Sequence, residues 1–202
     1  MIDGRDENEV KQHWVFVPMM AAVVSLTGCG QGVEAEQQAL NMRGQYLSDT
    51  PCSMVAELTA DYGQRVYTFT VSADVTQEEM TLTIQEPDLL SGITAHLTED
   101  SSSLVYDGLV LELGELDVDG LSPMEAIPAL FESIRGDYMA ECILNEEDAT
   151  LTIHYTDPDQ QQETGRETTV VFETETGAIK QGEINVDGRR VITLTCQEFH
   201  RG

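Results

Sequence analysis

Leu26, Thr27, Gly28 and Cys29 place a thiol behind two small residues, directly after an apolar run and about thirty residues from the N-terminus. Small residues in that place are where a signal peptidase would cut. Upstream, Trp14 to Leu26 is a run of 13 residues without a charge, with Lys11 and His13 just before it. Crossing a bilayer takes about 20 apolar residues. The run is too short for that, but it has the length of the apolar region of an export signal, which ends in small residues at its cleavage site.

The Leu26-Thr27-Gly28-Cys29 order resembles a bacterial lipobox. The resemblance implies that Cys29 is diacylated on sulfur, that the chain is cut in front of it, and that it becomes the first residue of the mature protein. Burying acyl chain is worth about 0.8 kcal/mol per methylene, and two or three chains anchor a protein stably where one does not. Residues 1 to 28 then form a lipoprotein signal peptide. The first nine residues, "MIDGRDENE", are acidic where such a signal should be basic. The expected start is therefore Val10, which leaves Lys11 as the leading charge. Residues 29 to 31 form the lipidated cysteine and a short tether, and 32 to 202 a single domain, tethered to a membrane outside the cytoplasm.

Charge narrows the partners. The chain has 10 Lys and Arg against 37 Asp and Glu, a formal net charge of -27. Nucleic acid is excluded, because phosphate binding needs clustered cations. The same charge holds the domain off anionic headgroups, leaving the anchor as the membrane contact. The sequence shows no Gly-x-Ser-x-Gly elbow, phosphate-cradling glycine loop or His-Glu-x-x-His, so the chain reads as a non-enzyme without a cofactor. "ELDVDG", with Glu115, Asp117, Asp119 and Gly120, imitates the first half of a calcium loop. Ala126 stands where the closing bidentate Glu belongs, so a turn before a helix is the simpler reading. His96 and His154 alternate onto the polar side of their strands, so no metal site is expected. Cys52, Cys142 and Cys196 each fall on the apolar parity of their segments: Cys52 with Met54, Ala56 and Leu58, Cys142 with Tyr138 and Ala140, and Cys196 with Ile192 and Leu194. Whether two of the three form a disulfide stays open.

The elements that position these residues follow from periodicity. Val33, Gln37, Leu40, Gly44 and Leu47 mark a helical stripe over about 32 to 48. Six alternating runs follow, from "CSMVAELTA" to "LVLELG", with Gly, Asp, Pro or Ser in the gaps. "LSPMEAIPALFESIRG" then reads as a helix over 122 to 136. Ser122 and Glu125 form a capping box, Pro123 opens the first turn, Gly136 stops it, and Pro128 is expected to kink it. Met124, Ile127, Phe131 and Ile134 line its apolar face. Four or five more strands follow, the last two joined by Asp187-Gly188, a pair that two-residue hairpins favour. The expected fold is α+β: a large curved antiparallel sheet, an open half-barrel of about 10 to 11 strands, covered by two helices.

This order of elements, with "PDLLSG" (Pro87 to Gly92), the Thr176-Gly177 turn and the closing "FETETGAIKQGEINVDGRRVITLTCQEF", resembles the LolA/LolB-like lipoprotein carrier superfamily and its Gram-positive lipoprotein relatives. The resemblance spans roughly residues 32 to 200. It implies an open barrel wrapped around helices, with an apolar cavity that holds acyl chains. In the anchored branch of that superfamily a protruding apolar loop assists acyl transfer, which makes Leu89 and Leu90 candidates for that role. The alternative is that both fold over the barrel mouth as core. For Met124, Ile127, Phe131 and Ile134 the choice is likewise between ligand wall and core. The expected function is binding of a lipid or other hydrophobic ligand by a membrane-anchored domain. The alternative is an envelope sensor or interaction domain of the same fold that binds a protein. Small inward residues such as Ala56, Ala60 and Ala95 lean toward a cavity.

Overall fold

Among the residues that the computed structural model describes, 30–98, 101–106, 108–113, 122–157 and 165–202, there are eleven strands and two helices. Helix α1 (Gly30–Tyr46) leads into β1 (Cys52–Asp61), β2 (Val66–Val75), β3 (Glu79–Glu86), β4 (Thr94–Thr98), β5 (Ser102–Tyr106) and β6 (Leu109–Leu113). Helix α2 (Pro123–Gly136) follows, then β7 (Tyr138–Asn145), β8 (Thr150–Thr156), β9 (Arg166–Glu173), β10 (Ile179–Val186) and β11 (Arg189–Arg201). All strands join one antiparallel sheet in the order β6-β5-β4-β3-β2-β1-β11-β10-β9-β8-β7. The first meander runs from the centre to one edge, and α2 carries the chain across. The second meander returns from the far edge until β11 pairs with β1. The sheet stays open, with β6 and β7 as its edges.

Period-two alternation sends one face of each strand inward. On β1 the buried residues are Met54, Ala56, Leu58 and Ala60; on β8 they are Leu151, Ile153 and Tyr155. The β10–β11 hairpin turns at Asp187 and Gly188, both at positive φ (50° and 71°), as a two-residue turn of this hand requires. Where a bulge intervenes, parity flips. Between Met139 and Glu141 the register of β7 slips against β8, so Cys142 shares the inner face with Met139 and Leu144. Tyr138 and Ala140, expected beside Cys142, are exposed instead. Cys52, Cys142 and Cys196 are half-buried and free, with no disulfide between them.

Helix α2 forms as its caps dictate, with the Ser122 backbone N–H donating to the Glu125 carboxylate, and it runs as one helix through Pro128. It packs on β1, β8, β9 and β10. Gly182 of β10 permits the close approach: a Cβ there would stand 2.3 Å from Leu130 Cδ1.

Helix α1 packs on β7 and β8, turned opposite to expectation. Ala35, Ala39, Met42 and Tyr46 face the core, while Val33, Leu40 and Leu47 are exposed. The two helices hold each other by their last turns, where carbonyls lack intrahelical donors. Arg43 Nε donates to the Ile134 carbonyl at 2.9 Å, and Arg135 Nε donates to the Tyr46 carbonyl at 3.1 Å. Tyr46 sits at the junction, edge-on to Phe131 and Phe172, with its hydroxyl donating to the Gly177 carbonyl at 2.7 Å.

Candidate functional site

In an antiparallel meander alternate turns share an end. The β1–β2 turn, the β3–β4 loop and the β5–β6 turn therefore lie at one end of the sheet, and exposed apolar side chains gather there. Tyr62, Val66, Tyr67, Leu89, Tyr106, Leu109 and Val110 are all open to solvent. Scattered surface apolars are ordinary, whereas a group of them calls for an explanation.

The inner face of β2 connects this rim to the core. Tyr67, Phe69, Val71, Ala73 and Val75 share that face, opposite Ala60, Leu58, Ala56, Met54 and Cys52 of β1. Tyr67 is exposed, Phe69 half-buried, and Val71, Ala73 and Val75 buried. An apolar strip thus runs from solvent into the interior. Tyr62 and Tyr67 stand 6.2 Å apart by ring centroids, and Tyr67 and Phe69 6.4 Å. Burial, with the Glu125 carboxylate and Tyr67 adding, raises the Tyr62 hydroxyl pKa. It stays a neutral donor at physiological pH.

The residues singled out from sequence divide between rim and core. Leu89 is 84% exposed at the crest of the β3–β4 loop, while Leu90 turns in and packs on the core. The expectation that the pair acts together, both out or both in, is corrected by the turn geometry. Leu90 N–H donates to the Pro87 carbonyl at 2.9 Å and Ile93 N–H to the Leu90 carbonyl at 3.2 Å, so the chain coils and neighbouring side chains diverge. Gly92, at φ 87°, closes the loop with its N–H on the Ile84 carbonyl. Ile127, Phe131 and Ile134 are buried in the core, and Met124 is half-buried at its margin. Ala56, Ala60 and Ala95 are buried as well. All three lie inside the packed core. Leu26, Thr27, Gly28 and Cys29, and the calcium-like Glu115 to Gly120, lie outside the described residues.

Sequence reasoning passed over Tyr67, Phe69, Tyr106 and Leu109. Their alternation was readable, but their gathering at one end of the sheet depends on strand pairing. It also passed over a polar row on the outer face, where Thr169 and His154 Nδ1 are 2.8 Å apart and His154 Nε2 is 3.8 Å from Glu141. The row imitates a hydroxyl–imidazole–carboxylate relay. Thr169 lies within β9, however, paired on both sides by β8 and β10, which leaves its backbone amides no freedom to stabilise an oxyanion. The row is a cross-strand polar ladder. Among the described residues no three His, Cys, Asp or Glu side chains come together as metal ligands. No helix among them is long and apolar enough to cross a membrane.

By sequence, no protein-family model matches the chain and no curated protein is similar to it. Solved structures are similar in fold. An uncharacterised conserved protein of Thermus thermophilus matches at TM-score 0.50 and 10% identity, over 83% of this chain and 88% of that one. A LolA superfamily protein of Nitrosomonas europaea matches at TM-score 0.40 and 10% identity, over 84% and 92%. The lipoprotein LppX of Mycobacterium tuberculosis matches at TM-score 0.43 and 15% identity, over 83% and 93%. The fold is an open, curved antiparallel sheet covered by two helices, and it is shared with the Thermus protein.

Proposed function

We propose that the chain is an extracytoplasmic lipoprotein, anchored to a membrane through Cys29, whose half-barrel takes up an acyl chain or similar hydrophobic ligand at the rim around Tyr67 and Leu89. The observation that carries this reading is the graded inner face of β2, from exposed Tyr67 through half-buried Phe69 to buried Val71. Water-exposed apolar surface continuous with a core costs free energy, at about 25 cal/mol per Å², and an apolar ligand recovers it. Leu89 is the contact with the donor or acceptor of that ligand. Leu90 and Met124 stand at the margin of the interior, and Ile127, Phe131 and Ile134 form the packed wall behind them. The partners are then the membrane and a lipid.

A second reading, a protein-binding envelope domain, is supported by the filled interior under the helices, where Tyr155, Phe131 and Phe172 are fully buried. Native mass spectrometry with lipid extraction on residues 30–202 separates the two. Stoichiometric acyl mass surviving purification supports carriage; a clean apo mass, unmoved by added lipid, sinks it and favours the protein partner.

A further inference from the structure

Helix α1 carries two apolar stripes half a turn apart. One, Ala35, Ala39, Met42 and Tyr46, is buried against the sheet and α2. The other, Val33, Gln37, Leu40, Gly44 and Leu47, faces solvent, with Val33 68%, Leu40 53% and Leu47 52% exposed. Leu47 prolongs the helix geometrically, its N–H donating to the Arg43 carbonyl at 3.0 Å. At 1.5 Å per residue the outer stripe extends over about 20 Å. None of the 37 acidic residues stands on it. Glu36 and Arg43 stand at its edge, three and four residues from its apolar members.

The covalent chain says what covers it. Gly30, the first residue of α1, follows Cys29 directly, and successive Cα atoms are only about 3.8 Å apart. Gly30 and Gln31, expected as a short tether, belong to α1, so an acylated Cys29 puts the start of the helix at the bilayer surface. We infer that the outer face of α1 lies in the interface of the anchoring bilayer, with Val33, Leu40 and Leu47 entering the acyl boundary. This inference rests on the anchored reading above. Glu34 and Glu36 flank the stripe and are exposed, so the surface fits zwitterionic lipid. Anionic headgroups repel those two carboxylates within the Debye length. The anchor thus fixes the orientation of the domain as well as its address.

Tryptophan fluorescence tests this cleanly. The chain's single tryptophan, Trp14, precedes Cys29 and is lost with the leader. The full chain, acylated in a bacterial host, is reconstituted in phosphatidylcholine vesicles brominated on the acyl chains, as Leu40→Trp and, separately, Thr195→Trp on the outer face of the sheet. The expected result is loss of most Leu40→Trp emission, with Thr195→Trp unchanged, and recovery of the former when anionic lipid is added at low salt. Both positions are exposed, so neither substitution threatens the fold. Vesicle-bound protein with Leu40→Trp unquenched overturns the inference and leaves the anchor intact. Leu40→Trp shielded from aqueous iodide yet unquenched by lipid, with dimers on cross-linking, assigns the stripe to a second copy and also overturns it. An unmodified Cys29 thiol by mass, with no vesicle binding, removes the anchored reading and the inference with it.

Discussion

The two halves of the sheet are built differently. Strands β7 to β11, with β1, lie under the helices. Their inner face holds Tyr155, Phe172, Leu151, Ile153, Val170 and Ile184, all buried, and the arginines of α1 and α2 tie the cover shut. Strands β4 to β6 are five residues each. With the ends of β2 and β3 they carry the exposed Tyr67, Leu89, Tyr106 and Leu109. One half spends its apolar surface on stability and the other leaves it available, the division expected when a rigid scaffold positions a binding edge.

Substitutions on the two sides should therefore differ sharply. The largest effect is expected from Phe131→Ala, which empties a fully buried aromatic position against Tyr46. It should cost about 3–5 kcal/mol of stability by denaturant unfolding. A smaller, graded loss should follow pH. Burial raises the thiol of Cys196 to about 11, against an ordinary 9.0, and raises Cys52, Cys142, Tyr46 and Tyr155 as well. Each group is neutral when protonated and the folded state holds its proton more tightly. The stabilisation is full below pH 9 and declines as pH rises through 11. Denaturant midpoints measured from pH 8 to 11 should fall steadily. A flat profile would show that these groups stay open to water and that the covered half is less sealed than drawn. The smallest stability effect is expected from Leu89→Ser, under about 0.5 kcal/mol. Its effect should appear in ligand exchange instead, as a slower transfer of fluorescent fatty acid from vesicles. A loss of stability equal to that of Phe131→Ala would erase the distinction between the halves.

Much of this architecture was legible in the chain because its signals are local. The Ser122–Glu125 cap, the Asp187-Gly188 turn and the alternation of "CSMVAELTA" each need only a few neighbouring residues to be read. What was not legible depends on partners distant in sequence. Helix α1 has apolar residues on both faces, and only packing on β7 and β8 decides that Ala39 goes in and Leu40 stays out. The Ala140 bulge exists only relative to β8. The arginine clamps need two helix ends brought together, and nothing in the spacing of Arg43 and Arg135 announces it. Of the candidate site, the loop at Leu89 was readable from an apolar pair in a turn context. The aromatic strip behind it required knowing the pairing of β2 with β1.

The central pairing of β1 with β11 also sets the order in which the molecule can be finished. Ala56 meets Cys196 and Cys52 meets Arg201, so the middle of the sheet is stitched by its first and last strands. Until β11 arrives, β1 has a bare edge and neither meander has its inner neighbour. Contacts of such long range make closure a late and slow event. Were the chain exported as proposed above, its sheet could not be completed while β11 was still behind the channel.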